Sequence, residues 1–388
     1  MPRLACCSIA LSVLAACASL PEWRAADATA WPSPGCPEAI RSSAQRLLDE
    51  AVGRHRLVGV QVAFLRPGGP RCLLASGTTR PERDEPLRPD HVVRLGSLTK
   101  TYTAVLVLRL AERGLLDLDA PLGRWFPGRP ASERVSVRML LDHSSGIPEL
   151  LGPRTMLLST WSSRRVWTDG ELEHMALDPD LAFEPGSDHR YSNSNYVLLG
   201  LIAQRVTGRP LASLLREEIL GPLHLESTAY LPAEATPPRL VAGFDRDLIP
   251  LPGWHVTTPE NTSWSSLAVA SGAMAASAGD VARFFEAVVG REVVSEASYR
   301  RMVSFETARH PQDRYLERFG SGLFAFGPYY GDAYGHPGLF VGSEALALFD
   351  PEERWVFVLL ANVSRIRERD VLVEDLLATF AGGRRGQE

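Results

Sequence analysis

The apolar pattern of this 388-residue chain changes period twice, and that restricts the folds open to it. The stretches "LVGVQVAFLR" (about 57–66) and "RCLLASGT" (71–78) are short, apolar and β-branched, and the turn sequence "PGGP" separates them, as expected of paired strands. A helical pattern precedes them, with Ile40, Ala44, Leu47, Leu48 and Ala51 on one side. From Ser97 to about 225 helical spacing dominates, in "SLTKTYTAVLVLRLAERG", "SNYVLLGLIAQRVTG" and "PLASLLREEIL". Helices at about 277–289 and 295–304 follow. Strand-like runs then return in "SGLFAFG", "SEALALFD" and "RWVFVLLAN", and the helix "VLVEDLLATFAG" closes the pattern. Strands at both ends can share one sheet only if the middle is carried as an insertion. The reading is an α/β protein: a discontinuous sheet domain from 36–96 and 270–388, with a mainly helical lobe at 97–269. With 45% hydrophobic residues the chain can bury a large core. A net charge of −5 excludes an electrostatic nucleic-acid binder.

The first residues read as a targeting segment. Arg3 precedes an apolar run of about a dozen residues, too short to span a bilayer and suited to a secretory signal peptide at 1–16. The run ends Leu14-Ala15-Ala16-Cys17, which resembles the lipobox of bacterial lipoproteins; the alternative is ordinary cleavage around Ala16-Cys17-Ala18. Lipidation at Cys17 implies an exported protein held on a membrane surface, with 17–35 as a tether. Of five cysteines, Cys36 and Cys72 belong to the globular part, and an exported compartment lets them pair. Metal-ligand spacings such as C-x-x-C and H-E-x-x-H are absent, and no cofactor is expected.

Lys100 is the one lysine in a chain that otherwise uses arginine for every such cation. Arginine supplies charge as well as lysine does, but its pKa lies above about 12, whereas a desolvated lysine amine can become a neutral base. Ser97 stands three residues earlier, so on a helix the two side chains share a face. The competing reading makes Ser97 an ordinary helix cap. Two more constellations follow. In "EPGSDHRYSNSNYVLLG", Tyr191 and Asn193 flank Ser192 just before a helix, and there a phenol can relay a proton while an amide holds a carbonyl. In "YGHPGLFVGSEALALFD", His336-Pro337-Gly338 leads into an antiparallel strand pair.

Taken in order, Ser-x-x-Lys, Tyr-x-Asn about 90 residues on and a late His-x-Gly resemble the penicillin-recognising serine hydrolases, and most of all the group of class C β-lactamases, DD-peptidases and related esterases. "LLDHSSGIP" and "ASGAMAASAGDVARF" resemble further family segments, and the likeness runs over roughly 36–380. It implies the β-lactamase/transpeptidase-like fold, an antiparallel sheet flanked by helices, with the active site between sheet and lobe. It also implies a serine hydrolase that works through an acyl-enzyme on a small-molecule or peptide substrate. Ser97 is then the nucleophile. Lys100 and Tyr191 form the proton path, with the choice of base open. Asn193 orients the acyl group, His336 and Gly338 line the site, and the amides of Ser97 and Leu339 form the oxyanion hole.

The departure lies at Pro337. Relatives with Lys-Thr-Gly or His-Thr-Gly offer a hydroxyl to the substrate carboxylate, and proline removes both that hydroxyl and a backbone donor. An esterase or amidase is therefore expected ahead of a β-lactamase or a D-Ala-D-Ala carboxypeptidase. A penicillin-binding sensor without turnover is the further alternative. Trp161, Trp167, Trp254 and Trp264 are candidates for an acyl pocket.

Overall fold

A computed structural model describes residues 35–55, 57–81, 85–129, 132–245, 255–305, 318–327 and 330–381. Cys17 and Trp254 lie outside the described residues. The chain opens with helix α1 (Glu38–His55), then forms the hairpin of β1 (Gly59–Leu65) and β2 (Arg71–Gly77). The late strands are β8 (Arg318–Phe319), β9 (Phe324–Ala325), β10 (Tyr334–Phe340), β11 (Ser343–Phe349) and β12 (Val356–Ala361). Among the described residues these seven form one sheet in the order β2-β1-β12-β11-β10-β9-β8, antiparallel at every step. β1 pairs with β12, in the register Val60 to Ala361 through Leu65 to Val356, so the two ends of the chain do complete one sheet.

Every residue of β1, β11 and β12 is buried, because both faces of the sheet are covered. Val60, Val62, Phe64, Leu346, Leu348, Phe357 and Leu359 share a core with α1 and the last helix, α11 (Arg369–Ala381). Their neighbours Ala63, Leu65, Ala345, Ala347, Val356, Val358 and Leu360 face the opposite core. The two-residue alternation therefore sorts a continuous apolar run into two cores. Cys36, just ahead of α1, is disulfide-bonded to Cys72 in β2, with a Cα–Cα distance of 4.8 Å.

The lobe is built on α2 (Thr99–Glu112) and α6 (Asn193–Thr207), with the short helices α3 (Val137–Leu141), α4 (Pro153–Trp161), α5 (Asp169–Leu177) and α7 (Leu211–Leu215) around them. It is less purely helical than its periodicity suggests. Within it β5 (Gly243–Asp245) pairs with β6 (His255–Thr257), and β4 (Ala229–Tyr230) joins β3 (Val93–Arg94) and β7 (Met274–Ala276), which flank the lobe in sequence, in a small sheet of order β3-β7-β4. Strands of two or three residues show no measurable alternation, which is why pattern reading passes over them. Helix α8 (Thr262–Ala268) precedes β7; α9 (Ala278–Val289) and α10 (Glu296–Met302) follow it, and α9 packs on β1 and β12.

Candidate active site

β3 delivers the chain to Gly96, whose φ of 53° is left-handed and suits glycine. A 3₁₀ turn over Gly96–Leu98 carries Ser97, and α2 starts two residues later. Ser97 caps nothing: neither helix start has a side-chain cap bond, which removes the capping reading. A Cβ on Gly96 would stand 2.5 Å from the Leu339 carbonyl oxygen and 3.0 Å from its nitrogen. On Gly338 it would stand 2.0 Å from the Leu95 carbonyl oxygen. Real Cβ atoms do not come so close, so glycine on both sides lets the Ser97 turn lie directly against β10.

Lys100 is fully buried. Its Nζ lies 3.1 Å from Ser97 Oγ, 2.7 Å from Asn193 Oδ1 and 2.8 Å from the Ser271 carbonyl oxygen. Burial lowers its pKa to about 7, with Glu149 pulling the other way. Two of the three neighbours, an amide oxygen and a backbone carbonyl, can only accept hydrogen bonds. A neutral amine has two hydrogens to satisfy them, and its lone pair is then left for the Ser97 hydroxyl.

Tyr191 sits on the loop before α6, its ring centroid 4.7 Å from Lys100 Nζ, and it lines the same cavity as Ser97. Burial raises the phenol well above its ordinary pKa, and the Ser97 hydroxyl opposes that rise. The ring packs against His143 at 4.7 Å and near Phe324 at 6.0 Å. His143 lies in the "HSSGIP" turn, and sequence reasoning gave it no role. Its Nδ1 accepts from the Ser192 amide at 3.3 Å and meets Asn195 Nδ2 at 3.0 Å, so the ring is neutral with its proton on Nε2. Burial, then the charge of Lys100, hold its pKa well below the ordinary value.

Asn193 is the first residue of α6. Its backbone amide and its Nδ2 both donate to Glu149 Oε2 at 2.9 Å, which turns Oδ1 toward Lys100. Glu149 and the Ser271 carbonyl were missed by sequence reasoning. The first reaches its partner across 44 residues, and the second acts through the main chain; neither leaves a pattern in the sequence.

His336, Pro337 and Gly338 lie inside β10 itself, not ahead of the strand pair. The buried His336 ring is held neutral, its pKa lowered to about 3 by burial and then by Lys100, and Nδ1 lies 2.5 Å from the Pro337 carbonyl oxygen. β9 pairs only with Tyr334 and Gly335, so from His336 onward this edge of β10 faces the cleft. The polar groups of Leu339 point at Gly96, off the β11 ladder. Alternation along the strand gives Pro337 the same direction, so its missing N–H costs the sheet nothing.

A cavity of about 440 Å³ opens here, lined by Ser97, Tyr191, Phe319, Phe324, Leu339 and the residues around His336. Its far end carries Glu344 and Arg369, paired at 2.7 Å, and Arg365. Trp161, Trp167 and Trp264 do not line it. Trp167 is buried and donates to Ser159 Oγ, Trp264 is buried near Phe340, and Trp161 is 76% exposed. An acyl pocket built from these three is thereby corrected.

A family model described as Beta-lactamase matches residues 44–378. Esterase EstB of Burkholderia gladioli is 34% identical over 269 residues, covering 62% of this chain and 68% of EstB. Penicillin-binding protein 4* of Bacillus subtilis is 31% identical over 157 residues, covering 40% of this chain and only 34% of that protein. Among solved structures, D-amino acid amidase from Ochrobactrum anthropi SV3 is 27% identical with a TM-score of 0.77, over 88% of this chain and 99% of the amidase.

Proposed function

The chain belongs to the Beta-lactamase family and is a serine hydrolase, and from that premise we propose that it cleaves a carboxylic ester or amide through an acyl-enzyme on Ser97. The observation that carries this is the Lys100 amine: 3.1 Å from Ser97 Oγ, with a pKa near 7 and both hydrogens committed to carbonyl-type acceptors. Ser97 Oγ attacks the substrate carbonyl carbon as its proton passes to Lys100 Nζ. This assigns the base to Lys100, since a phenol raised above its ordinary pKa is a poor source of phenolate at neutral pH. The amides of Ser97 and Leu339 receive the oxyanion, where the glycines bring turn and strand together. Tyr191, which lines the cavity beside Ser97, passes the proton on to the leaving alcohol or amine, and water then attacks the acyl carbon to restore Ser97. Asn193 holds the amine and the acyl side of the substrate.

Substrates without a carboxylate fit best. Pro337 offers the cleft a carbonyl but neither a hydroxyl nor an N–H, and the apolar walls are Phe319, Phe324 and Leu339. The names of the relatives, an esterase and a D-amino acid amidase, support the same class. Export with lipidation at Cys17 is part of the proposal, and a disulfide between Cys36 and Cys72 suits an oxidising compartment. The test is a comparison of kcat/KM for a short p-nitrophenyl ester, a chromogenic cephalosporin and a peptide ending in D-Ala-D-Ala. The ester is expected to lead; faster turnover of either carboxylate-bearing substrate would overturn the ranking.

A further inference from the structure

Helix α4 is amphipathic the wrong way round. Its two buried residues are polar, with Leu158 the one apolar side chain packed inward: Thr155 donates to the carbonyl oxygens of Leu150 and Gly152, and Ser159 is fully buried, accepting from the Trp167 indole. Its outward residues are apolar: Met156 is 36% exposed, Leu157 48% and Trp161 76%. Leu157 and Trp161 are four apart, so they are neighbours on the helix surface. The loop that continues the helix exposes Val166 at 65%. A helix facing only water turns its apolar side inward, so this face is built for a second, non-aqueous neighbour. Charge selects that neighbour. Between the exposed Glu149 and Asp169, residues 150–168 contain Arg154, Arg164 and Arg165 and no aspartate or glutamate, in a chain whose net charge is −5. Arg154 and Arg164 are exposed, whereas Arg165 is paired with Glu171 and stacked on Trp167.

We infer that α4 is a membrane-contact element that lays Leu157 and Trp161 into the interface of an anionic bilayer, with Arg154 and Arg164 among the headgroups. An exposed tryptophan beside leucine, flanked by arginines, matches what such an interface holds: amphipathic rings at headgroup depth, apolar side chains just below, and guanidiniums against anionic lipid. The helix starts four residues after Glu149, which holds Asn193, so this contact sets the lobe side of the cleft close to the lipid surface.

The full chain is added to vesicles of phosphatidylcholine, alone or mixed with phosphatidylglycerol, prepared with and without brominated acyl chains. Tryptophan quenching is read as the difference between the native chain and Trp161→Phe, a local measure of depth that holds whatever else tethers the protein. Quenching that depends on Trp161, that is stronger with the anionic lipid, and that Arg154→Gln with Arg164→Gln weakens more than about tenfold is the expected result. Unchanged turnover of a soluble ester by Trp161→Phe checks that the fold is intact. Equal Trp161 emission in brominated and plain vesicles overturns the inference. So does self-association without lipid that Trp161→Ser abolishes, which would assign this face to a second copy.

Discussion

Glu149 Oε2 accepts from both the backbone amide and the side-chain amide of Asn193, at 2.9 Å each, and so fixes the one oxygen through which Asn193 holds Lys100. Its charge also raises the pKa of Lys100 against the larger effect of burial. The base is protonated below its pKa and neutral above it, so kcat/KM should rise with pH through a limb near 7. Glu149→Gln removes the charge and keeps an acceptor for Asn193. That limb should move to lower pH, as a pH–rate profile for a neutral ester would show. A limb that stays put or moves up would dissociate Lys100 from it. His336, already neutral above about 3, should contribute no limb in the working range.

Gly338→Ala probes the close approach of turn and strand. Its Cβ would stand 2.0 Å from the Leu95 carbonyl oxygen, so β10 must withdraw from Ser97. We expect a stability loss of about 2 kcal/mol, the scale of overpacking, and a fall in kcat/KM beyond about 100-fold, the scale of a misplaced reacting group. Gly152→Ala, with no atom within 4 Å of the new Cβ, should leave kcat/KM unchanged. Near-native activity in Gly338→Ala would separate the strand from the oxyanion site.

Pro337→Thr restores a hydroxyl at the third motif. The ratio of kcat/KM for a cephalosporin or D-Ala-D-Ala peptide to that for the ester should rise by a factor of five or more, at least ~1 kcal/mol, within what one hydrogen bond to a charged group contributes even when only partly realised. An unchanged ratio would mean that the Arg365 end of the cavity, or another group, already supplies carboxylate recognition.

The long elements were legible in the sequence because each shows its period over several residues. Thus β1, β11, β12, α2, α6 and α9 fall where apolar spacing puts them. "SGLFAFG" shrinks to the two residues of β9, because Gly322 and Gly327, at φ of 77° and 60°, bend the chain on either side of it. Ser97, Lys100, Tyr191, Asn193 and His336 converge, and their shared signal was chemical: one lysine among arginines, and three short motifs in order. Glu149, His143 and Ser271 escaped notice because they act on those residues through contacts that only the folded chain creates.

The central claim is that a neutral Lys100 takes the proton of Ser97. Mass spectrometry of the native chain, Ser97→Ala and Lys100→Arg, sampled over time with a fluorophosphonate, reads that step directly. Arginine keeps the charge and most of the length of lysine but does not give up its proton. The account predicts one adduct, on the peptide that contains Ser97, none in Ser97→Ala, and labelling slowed more than about tenfold in Lys100→Arg, at least ~1.4 kcal/mol in barrier. An adduct on another residue, or labelling of Lys100→Arg at a rate close to native, would contradict it.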